Sequence, residues 1–288
     1  MSSVNNPAID TVSVNGQMGA SVSPADRGLA YGDGVFETLR VRDGMVPLWQ
    51  YHRERLISGC QRLGIPLDAS LMELWVNELL TAHKQDGQLH ATLKIIVTRG
   101  AGGRGYGIDP HMQPTVVCQL HPALPLTDHP TALYLCQQPL ARSIMLAGLK
   151  HLNRLENVLL KAECQQAGFD DGLVTDGQFI IETVSSNVFF ERDGELYTPE
   201  LNECGVAGVM RRFILEELAP ESGIKVHVEP IHKDQLHTFS SAFCCNSLRG
   251  IVVVEKVMIN RDRALVNFSD SKTIHRLLSA LKASRFCI

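Results

Sequence analysis

Apolar positions in the first third of the chain predict strands followed by two helices. The segment "VFETLRVRDGMVPLW" alternates around Asp43-Gly44, which is typical of a β-hairpin, and "VSVNGQ" carries a turn at Asn15-Gly16. The segment "LWQYHRERLISGCQRLG" has apolar residues near helical spacing and ends at Gly64, and "LMELWVNELLTAHK" repeats that spacing. Two further apolar runs, "ATLKIIVTRG" and "TVVCQL", predict buried strands.

A proline-rich stretch separates this region from the rest of the chain. Residues 122–130, "PALPLTDHP", hold three prolines and no periodicity, which predicts a linker between a domain of residues 1–121 and one of 131–288. The second region mixes strands and helices without a steady β-α-β rhythm, so an α+β fold with much antiparallel sheet is expected. Its predicted elements are a strand in "ALYLCQQ", a helix in "LENVLLKAECQQAG", strands in "GLVTDGQFIIET", a hairpin at Asp193-Gly194, a helix in "VMRRFILEELA", and beyond residue 256 only a terminal helix in "KTIHRLLSALKA".

Composition narrows the class of protein. The 288 residues are 44% hydrophobic and 20% charged, and a net charge of −4 gives no basic footprint for nucleic acid. The start lacks the pattern of a secretion signal, and no apolar run approaches the ~20 residues of a membrane helix, so a cytoplasmic protein is expected. The eight cysteines are irregularly spaced, which predicts buried thiols, and the histidines show no metal-ligand spacing.

Two charged residues, Lys150 and Glu182, could either belong to an active site or simply lie on the protein surface. Lys150, in "GLKHLNRLENVLLKAE", precedes an amphipathic helix and would either point into a cavity or lie on the surface, as most lysines do. Glu182 interrupts the apolar strand of "FIIETVSSNVFF". Its carboxylate would either face solvent or be buried against a cation.

Two polar turns could bind an anion. Small residues in "GVAGVMRRF" run directly into a helix start, whose backbone N–H groups suit a phosphate. In "FCCNSLRG", Asn246 and Ser247 end an apolar strand and could donate to the same anion. Both segments could equally be tight turns that bind nothing, because such turns use the same small and polar residues.

Taken together, these segments resemble the fold-type IV pyridoxal-phosphate enzymes of the class IV aminotransferase family. The resemblance runs from about residue 10 to residue 255 through seven motifs in the same order: "YGDGVFETLRV", "HRERL", "TRGAGGRGYG", "KHLNRLENVLLKAE", "ETVSSNVFF", "GVAGVMRR" and "NSL". The family includes branched-chain and D-amino acid transaminases and aminodeoxychorismate lyases. Two of the motifs, "GLKHLNRLE" and "GGRGYG", are closer to the lyases. The resemblance implies a small α/β N-terminal domain and a larger β-rich C-terminal domain.

The resemblance also implies how pyridoxal 5'-phosphate would be held. Lys150 would be joined covalently to the cofactor, and Glu182 would bond the pyridine nitrogen and keep it protonated. Arg55, from "HRERL", would clamp the phosphate with its charged fork. The remaining phosphate contacts would come from the backbone of Val209 and Met210 and from Asn246 and Ser247.

On the substrate side, the resemblance points to the glycine-rich segment. Arg104 and Tyr106 would bind substrate carboxylates, on a loop that reaches the neighbouring site of a homodimer. In "YGDGVFETLRV", interpreted as one strand, Tyr31 and Thr38 would line the substrate cavity. Thr38 would relay a proton, or would simply be a β-favouring residue. Arg27, Asp33 and Glu37 are interpreted as braces of the turn.

The expected activity is therefore the elimination of pyruvate from 4-amino-4-deoxychorismate to give 4-aminobenzoate, with Lys150 as the base. A transaminase acting on D-amino or branched-chain amino acids shares Lys150 and Glu182 and is the first alternative. A non-catalytic protein that kept the fold is the second. The presence of Lys150, Glu182 and Arg55 together argues against it.

Overall fold

The structure is a computed structural model, and it describes residues 11–126 and 129–284. The chain divides into two compact units. The first unit ends at Pro125 and also takes in Lys150–Asn153, whereas the second consists of Leu126–Leu149 and the residues from Arg154 on.

The division between the units lies within the stretch 122–130 that was predicted to be a linker. Pro122 is the last residue of a strand, and Thr127 and Asp128 lie outside the described residues. The domain bounds of 1–121 and 131–288 stay a prediction.

One antiparallel sheet forms the centre of the first unit. Its strands are β1 (Thr11–Val14), β2 (Gln17–Met18), β3 (Gly34–Val41), β4 (Ala91–Thr98) and β5 (Thr115–Pro122). They are arranged in the order β2-β1-β5-β4-β3. The predicted turn at Asn15-Gly16 is confirmed, with both residues in the left-handed region at φ 47° and 78°, as a tight hairpin requires.

Three helices accompany this sheet: α1 (Arg27–Tyr31), α2 (Trp49–Leu63) and α3 (Ala69–Gln85). As predicted, α2 ends at Gly64, which adopts the left-handed conformation at φ 64°. Helices α2 and α3 bury an apolar stripe against the sheet, and full burial of each large side chain contributes about 1.5–3 kcal/mol. The buried stripe consists of Leu56, Cys60, Met72, Val76 and Leu79.

Strand β3 presents two chemically different faces. Val35 and Leu39 belong to the core beneath the helices, and Glu37, between them in the alternation, is buried as well. Phe36 and Thr38 alternate onto the opposite face and are only partly buried. The pleat of one strand therefore separates a buried carboxylate from an accessible aromatic ring and hydroxyl.

For the hairpin predicted at Asp43-Gly44, the turn is confirmed but the prediction of a second strand after it is wrong. A turn does form, with Asp43 at φ 52° and Gly44 at φ 72°, but it is closed by a single bridge between Arg42 and Met45. Pro47 and the start of α2 follow directly, so β3 pairs along its whole length with β4 instead. The local turn signal was correct, but the partner strand lies some 50 residues further along the chain.

A ten-stranded mixed sheet forms the second unit. Its central order is β11-β10-β9-β13-β14-β6-β7-β8-β12, with β15 paired to β14. These strands are β6 (Thr131–Leu135), β7 (Asp171–Thr175), β8 (Phe179–Thr183), β9 (Asn187–Arg192), β10 (Glu195–Thr198), β11 (Val226–Val228), β12 (Ile231–His232), β13 (Ser241–Asn246), β14 (Gly250–Asn260) and β15 (Arg263–Asn267). The pairs β10–β11, β6–β14 and β6–β7 are parallel, and the others are antiparallel.

Helices cover parts of this second sheet. They are α4 (Leu155–Ala167), α5 (Val209–Phe213), α6 (Ala219–Glu221) and α7 (Lys272–Ala283), with a π-helical turn at Ile214–Leu218 joining α5 to α6 and a 3₁₀ helix at Lys233–Thr238. The terminal helix predicted beyond residue 256 is confirmed as α7, but strand β15 before it was missed. Its short "RALVN" segment alternates weakly and is identified as a strand only by its pairing with β14.

The predicted burial of the cysteine thiols is confirmed within the described ranges. The seven cysteines in the described ranges are all buried, and Cys287 lies outside those ranges. Cys136 and Cys164 bring their sulfurs to 3.6 Å inside a cluster that packs α4 against β7 and β8. Among the described residues, no helix combines the length and apolar character that a membrane crossing requires.

Candidate active site

Lys150 is held in the first unit by backbone pairing with β3. The amide of Phe36 donates to the carbonyl of Lys150 at 2.9 Å, and Leu152 N donates to Gly34 O at 3.0 Å. Gly34 permits this close approach, because a Cβ there would lie 2.3 Å from Val97 O and 2.8 Å from the Leu152 side chain. The chain segment that carries Lys150 therefore runs along β3, and a glycine of "YGDGVF" is needed to let it in.

The Lys150 amine lies over an aromatic ring that a second lysine also approaches. Lys150 Nζ is 4.3 Å from the centroid of Phe36, and Lys94 Nζ is 5.7 Å from it. Lys94 is the partner of Thr38 in the β3–β4 register. The face of β3 that carries Thr38 therefore brings together a hydroxyl, an aromatic ring and two ammonium groups, which suits an anionic ligand.

Lys94 was missed by the sequence analysis. The signal was present, since Lys94 is the one charged residue of "ATLKIIVT", the buried strand β4. A charge in such a strand must face solvent, a partner or a ligand.

A buried ion cluster lies on the other face of β3. Glu37 Oε1 accepts from Arg55 Nε at 2.7 Å, and its Oε2 accepts from Arg55 Nη2 at 2.5 Å and from His52 Nδ1 at 2.6 Å. Burial alone would raise the pKa of Glu37, but attraction to Arg55 and His52, with the bonds they donate, lowers it to about 2. Glu37 was interpreted as a brace of the turn; instead it anchors two residues of α2.

His52 loses its proton more readily in this cluster than a free imidazole does. Burial lowers its pKa, and this effect outweighs the attraction to Glu37, which favours the charged ring. The neutral ring donates from Nδ1 to Glu37, so Nε2 carries the lone pair. Nε2 is buried without a hydrogen-bond partner.

Arg55, expected to clamp the phosphate, has its orientation set by Glu37. Two of its nitrogens are in contact with the carboxylate, and its side chain is only 15% exposed. A guanidinium gripped bidentately has little freedom to turn. Its role toward a phosphate stays a prediction, and the structure adds the residue that fixes its direction.

The glycine-rich segment presents Arg104 and Tyr106 at the surface of the first unit. Both are exposed, Tyr106 by 83%. Tyr31 was expected in one strand with Thr38, but it is the last residue of α1, because Gly32 turns the chain left-handed before β3 begins. Its hydroxyl accepts from Gly105 N at 3.1 Å, so Tyr31 supports the loop that carries Arg104.

In the second unit, Glu182 is buried rather than facing solvent. It is 4% exposed, and its Oε2 accepts from Val206 N at 3.0 Å. Asn187 Nδ2 donates to Val206 O at 2.9 Å and lies 3.5 Å from the same carboxylate oxygen. Glu182 and Asn187 together hold the peptide groups of Val206, which begins the turn into α5.

That turn forms a cradle at the start of α5. Gly208 is the N-cap and offers no side-chain cap, so the first backbone N–H groups of the helix, at Val209 and Met210, have no intrahelical acceptor. A Cβ on Gly208 would lie 1.9 Å from Asn187 Oδ1. Glycine is therefore required where the backbone comes closest, and the start of the continuous helical segment Val209–Glu221 suits a phosphate.

Asn246 is engaged in its own turn. Its Oδ1 accepts from Leu248 N at 2.9 Å and Arg249 N at 2.8 Å, and its Nδ2 donates to Ser186 Oγ at 2.9 Å. The side chain thus closes the end of β13 and ties it to the residues before Asn187. Ser247 lies within that turn. A phosphate contact from either residue stays a prediction.

Comparison with known proteins gives this arrangement a family. A family model described as amino-transferase class IV matches residues 34–257. An aminodeoxychorismate lyase of Vibrio harveyi is 35% identical over 270 residues, covering 92% of this chain and 97% of the lyase. A D-alanine aminotransferase of Bacillus licheniformis is 27% identical over 242 residues, covering 82% of this chain and 83% of that enzyme.

A solved structure agrees over nearly the whole chain. The crystal structure of 4-amino-4-deoxychorismate lyase from Pseudomonas aeruginosa matches with a TM-score of 0.85 and 36% identity, and the match covers 96% of this chain and 99% of the lyase. The α+β fold expected from the sequence is confirmed, with fold-type IV architecture. Since the family model covers most of the chain and whole-length relatives agree with it, the chain belongs to the class IV aminotransferase family.

Proposed function

We propose that this chain is a pyridoxal-phosphate-dependent 4-amino-4-deoxychorismate lyase, which yields 4-aminobenzoate and pyruvate for folate synthesis. The observation that carries the proposal is the setting of the Lys150 amine, beside Phe36 and near Lys94 and Thr38. A second cation and a hydroxyl near the reactive lysine suit a substrate with two carboxylates and a proton to be moved. Similarity to the two lyases named above supports the same activity.

The residues of each unit fit the cofactor. At the turn before α5, Gly208 leaves room for Asn187, because a Cβ there would lie 1.9 Å from Asn187 Oδ1, and the N–H groups of Val209 and Met210 would bind the phosphate. Arg55, oriented by Glu37, would add charge to the phosphate contacts. Glu182, with its oxygen held by Val206 N–H, would accept the hydrogen bond of the pyridinium N–H, and Lys150 Nζ would form the covalent link.

The chain's own groups then move one proton. When bound, pyridoxal phosphate supplies an electron sink conjugated with the substrate nitrogen. Lys150 Nζ, set free when the substrate amine displaces it from the cofactor, would take the proton from the ring carbon that bears this amine, and Glu182 would stabilise the positive charge on the pyridine nitrogen. The ring then becomes aromatic as its C–O bond to the enolpyruvyl group breaks. The leaving oxygen must acquire a proton, which the Thr38 hydroxyl would relay from solvent or from Lys150.

The two substrate carboxylates would be bound by cations of different kinds. Arg104, on its exposed loop, would contribute a bidentate fork, with Tyr106 beside it. Lys94 contributes a point charge on the Thr38 face of the sheet. Tyr31 acts through the loop, because its hydroxyl bonds Gly105 N.

Direct assay of the purified protein tests the proposal. Incubation with 4-amino-4-deoxychorismate is expected to release pyruvate and 4-aminobenzoate in equal amounts, with no second substrate. Pyruvate is followed through lactate dehydrogenase, and 4-aminobenzoate by its fluorescence. Absence of both products, from protein that carries a full complement of cofactor, would refute the lyase assignment.

A transaminase is the second candidate, because a D-alanine aminotransferase is similar over 82% of this chain. The two activities share Lys150 and Glu182 and differ in the fate of the amine. Incubation with D-alanine or a branched-chain amino acid and 2-oxoglutarate distinguishes them. Formation of glutamate, without pyruvate from the chorismate substrate, would favour the transaminase.

Homodimer formation is part of the proposal, and an apolar patch on the second unit supports it. Ile144 and Met145 are 75% and 83% exposed, and Leu155, Val158 and Leu159 are exposed along the start of α4. Glu156 accepts from Ala141 N at 2.9 Å, which ties the Ile144 loop to the helix. Apolar patches of this kind mark protein–protein interfaces.

The oligomeric state is measured by light scattering after size exclusion. The wild-type protein should elute with the mass of a dimer, and Leu159→Glu should shift it toward the monomer. A wild-type monomer at micromolar concentration would contradict this part of the proposal. The cytoplasmic location stays an expectation from the sequence.

A further inference from the structure

We propose that Arg27 is a positioning residue that holds the glycine loop, residues 102–107 ("GGRGYG"), in the conformation that presents Arg104 to a substrate carboxylate. The inference rests on the proposed function, since it takes Arg104 as a substrate contact. It adds a buried residue, outside the reacting groups, that sets the geometry of that contact. The structure supports it through the backbone contacts of Arg27, its ion pair with Asp33, and the openness of the loop.

The Arg27 guanidinium donates to the loop backbone at successive residues. Nη1 donates to Gly105 O at 3.0 Å and to Gly107 O at 3.2 Å, and Nη2 lies 3.5 Å from Tyr106 O. The Arg27 side chain is only 5% exposed. One rigid fork therefore contacts the residues that immediately follow Arg104, and only a guanidinium has donors spaced for such a set.

Arg27 shares a single carboxylate partner with Arg99. Asp33 Oδ2 accepts from Arg27 Nε at 2.9 Å and from Arg99 Nε at 2.7 Å, and Asp33 Oδ1 accepts from Arg99 Nη2 at 3.0 Å. Burial would raise the pKa of Asp33, but the bonds from Arg99 and Arg27 outweigh it and lower the pKa. Asp33 therefore stays ionised and fixes the orientation of both arginines.

The two arginines on Asp33 hold different parts of the unit. Arg99 donates to Leu63 O at 2.7 Å and to Gly64 O at 2.9 Å, which are the carbonyls at the end of α2. Arg27 holds the loop instead. Because both have the same partner and similar burial, Arg99 is a matched control for every substitution at Arg27.

Without Arg27, little else would order the tip of the loop. A Cβ on Gly103, Gly105 or Gly107 would meet no atom within 4 Å, so the loop is open to solvent at three glycines. Glycine loses more conformational freedom on ordering than any other residue. The tip is also supported by Tyr31, whose hydroxyl accepts from Gly105 N and whose ring lies 5.4 Å from that of Tyr106, and the start of the loop is held by Gly102 N, which donates to Ala25 O at 3.1 Å.

Arg27→Lys tests the role by keeping the charge near Asp33 while removing the fork. Amide hydrogen exchange in peptides covering the loop should accelerate at least about ten-fold, because opening no longer breaks several bonds. The KM for 4-amino-4-deoxychorismate should rise about five- to thirty-fold, since ordering the loop then opposes binding. The kcat should change less than about two-fold and the cofactor absorbance should be unaltered, because the loop contacts substrate rather than reacting atoms.

Arg99→Lys is expected to accelerate exchange around the end of α2 and to leave loop exchange and KM within about two-fold of wild type. Arg104→Ala sets the largest KM effect that loss of the contact can produce. Adding Arg27→Lys to Arg104→Ala should raise KM no further, since Arg27 acts through Arg104. If Arg27→Lys does not fold, Arg27→Gln serves, since it also removes the fork that contacts the loop carbonyls, with changes expected in the same direction.

Each outcome decides one part of the inference. Unchanged loop exchange in Arg27→Lys would overturn the claim that Arg27 holds the loop. Faster exchange with an unchanged KM, or KM effects that add to those of Arg104→Ala, would overturn its role in substrate binding. Failure of wild-type protein to release pyruvate would count against the proposed function, while the exchange result still decides whether Arg27 holds the loop.

Discussion

The buried carboxylate of Glu37 contributes to the stability of the first unit by an amount that can be worked out from its pKa. That pKa lies at about 2 rather than at 4.5, and each unit of difference corresponds to about 1.4 kcal/mol. The charged form therefore stabilises the folded state by about 3 kcal/mol. Glu37→Gln, which keeps the shape and removes the charge, is expected to lower the free energy of unfolding at pH 7 by about that amount.

The stability difference between wild type and Glu37→Gln should depend on pH in a defined direction. Because the folded state lowers the pKa of Glu37, its contribution is complete above about pH 4.5 and is lost as the pH falls through about 2. The difference in unfolding free energy between wild type and Glu37→Gln should be largest at pH 7 and should shrink steadily below pH 4.5. Urea unfolding from pH 7 to pH 3, with cofactor removed from both proteins, measures it.

Glu73→Gln is the control, because Glu73 of α3 binds Arg53 of α2 at a site where both side chains are about 30% exposed. It should cost less than about 1 kcal/mol. A Glu37→Gln difference below about 1 kcal/mol at pH 7, or one that stays constant down to pH 3, would refute the reasoning about the buried cluster.

Three further predictions concern the cofactor site and the core. Lys150→Ala should abolish both pyruvate formation and the near-visible absorbance of the covalently bound cofactor; surviving turnover would show that another group is the base. Gly208→Ala should weaken cofactor binding at least about ten-fold in an absorbance titration, because a Cβ would lie 1.9 Å from Asn187 Oδ1 and would displace the side chain that holds Val206 before the start of α5; equal affinity would count against this turn as the phosphate site. Gly172→Ala should lower the unfolding free energy by about 1–3 kcal/mol, because a Cβ would lie 2.5 Å from Cys136 Sγ and 2.6 Å from Cys164 Sγ. Cys136→Ala in the same chain should recover part of that loss, and an unchanged unfolding midpoint in Gly172→Ala would contradict the close packing.

Local patterns predicted most of the elements, since hydrophobic spacing and turn residues act within a few positions along the chain. Helix α2 ends at Gly64 and β1 turns at Asn15-Gly16 because those residues favour the left-handed backbone wherever they occur. The family was predicted from the sequence as well, because seven of its motifs occur in the same order along the chain. Glu182 was identified from its place in an apolar strand, although only the structure showed that it is buried.

The tertiary structure decided which side chains meet. The turn at Asp43-Gly44 is local, but whether a second strand follows depends on the distant β4, which occupies the edge of β3 along its whole length. Glu37 and Thr38 are neighbours in sequence, and the strand pleat sends one to α2 and the other toward Lys94.

From the sequence alone, Glu37, Arg27 and Asp33 were equivalent charged residues near a turn. Only their packing distinguishes the anchor of Arg55 from the support of the glycine loop. The physical reason is that propensity and periodicity act within a few residues, whereas burial, charge pairing and loop support depend on groups brought together from far apart in the chain.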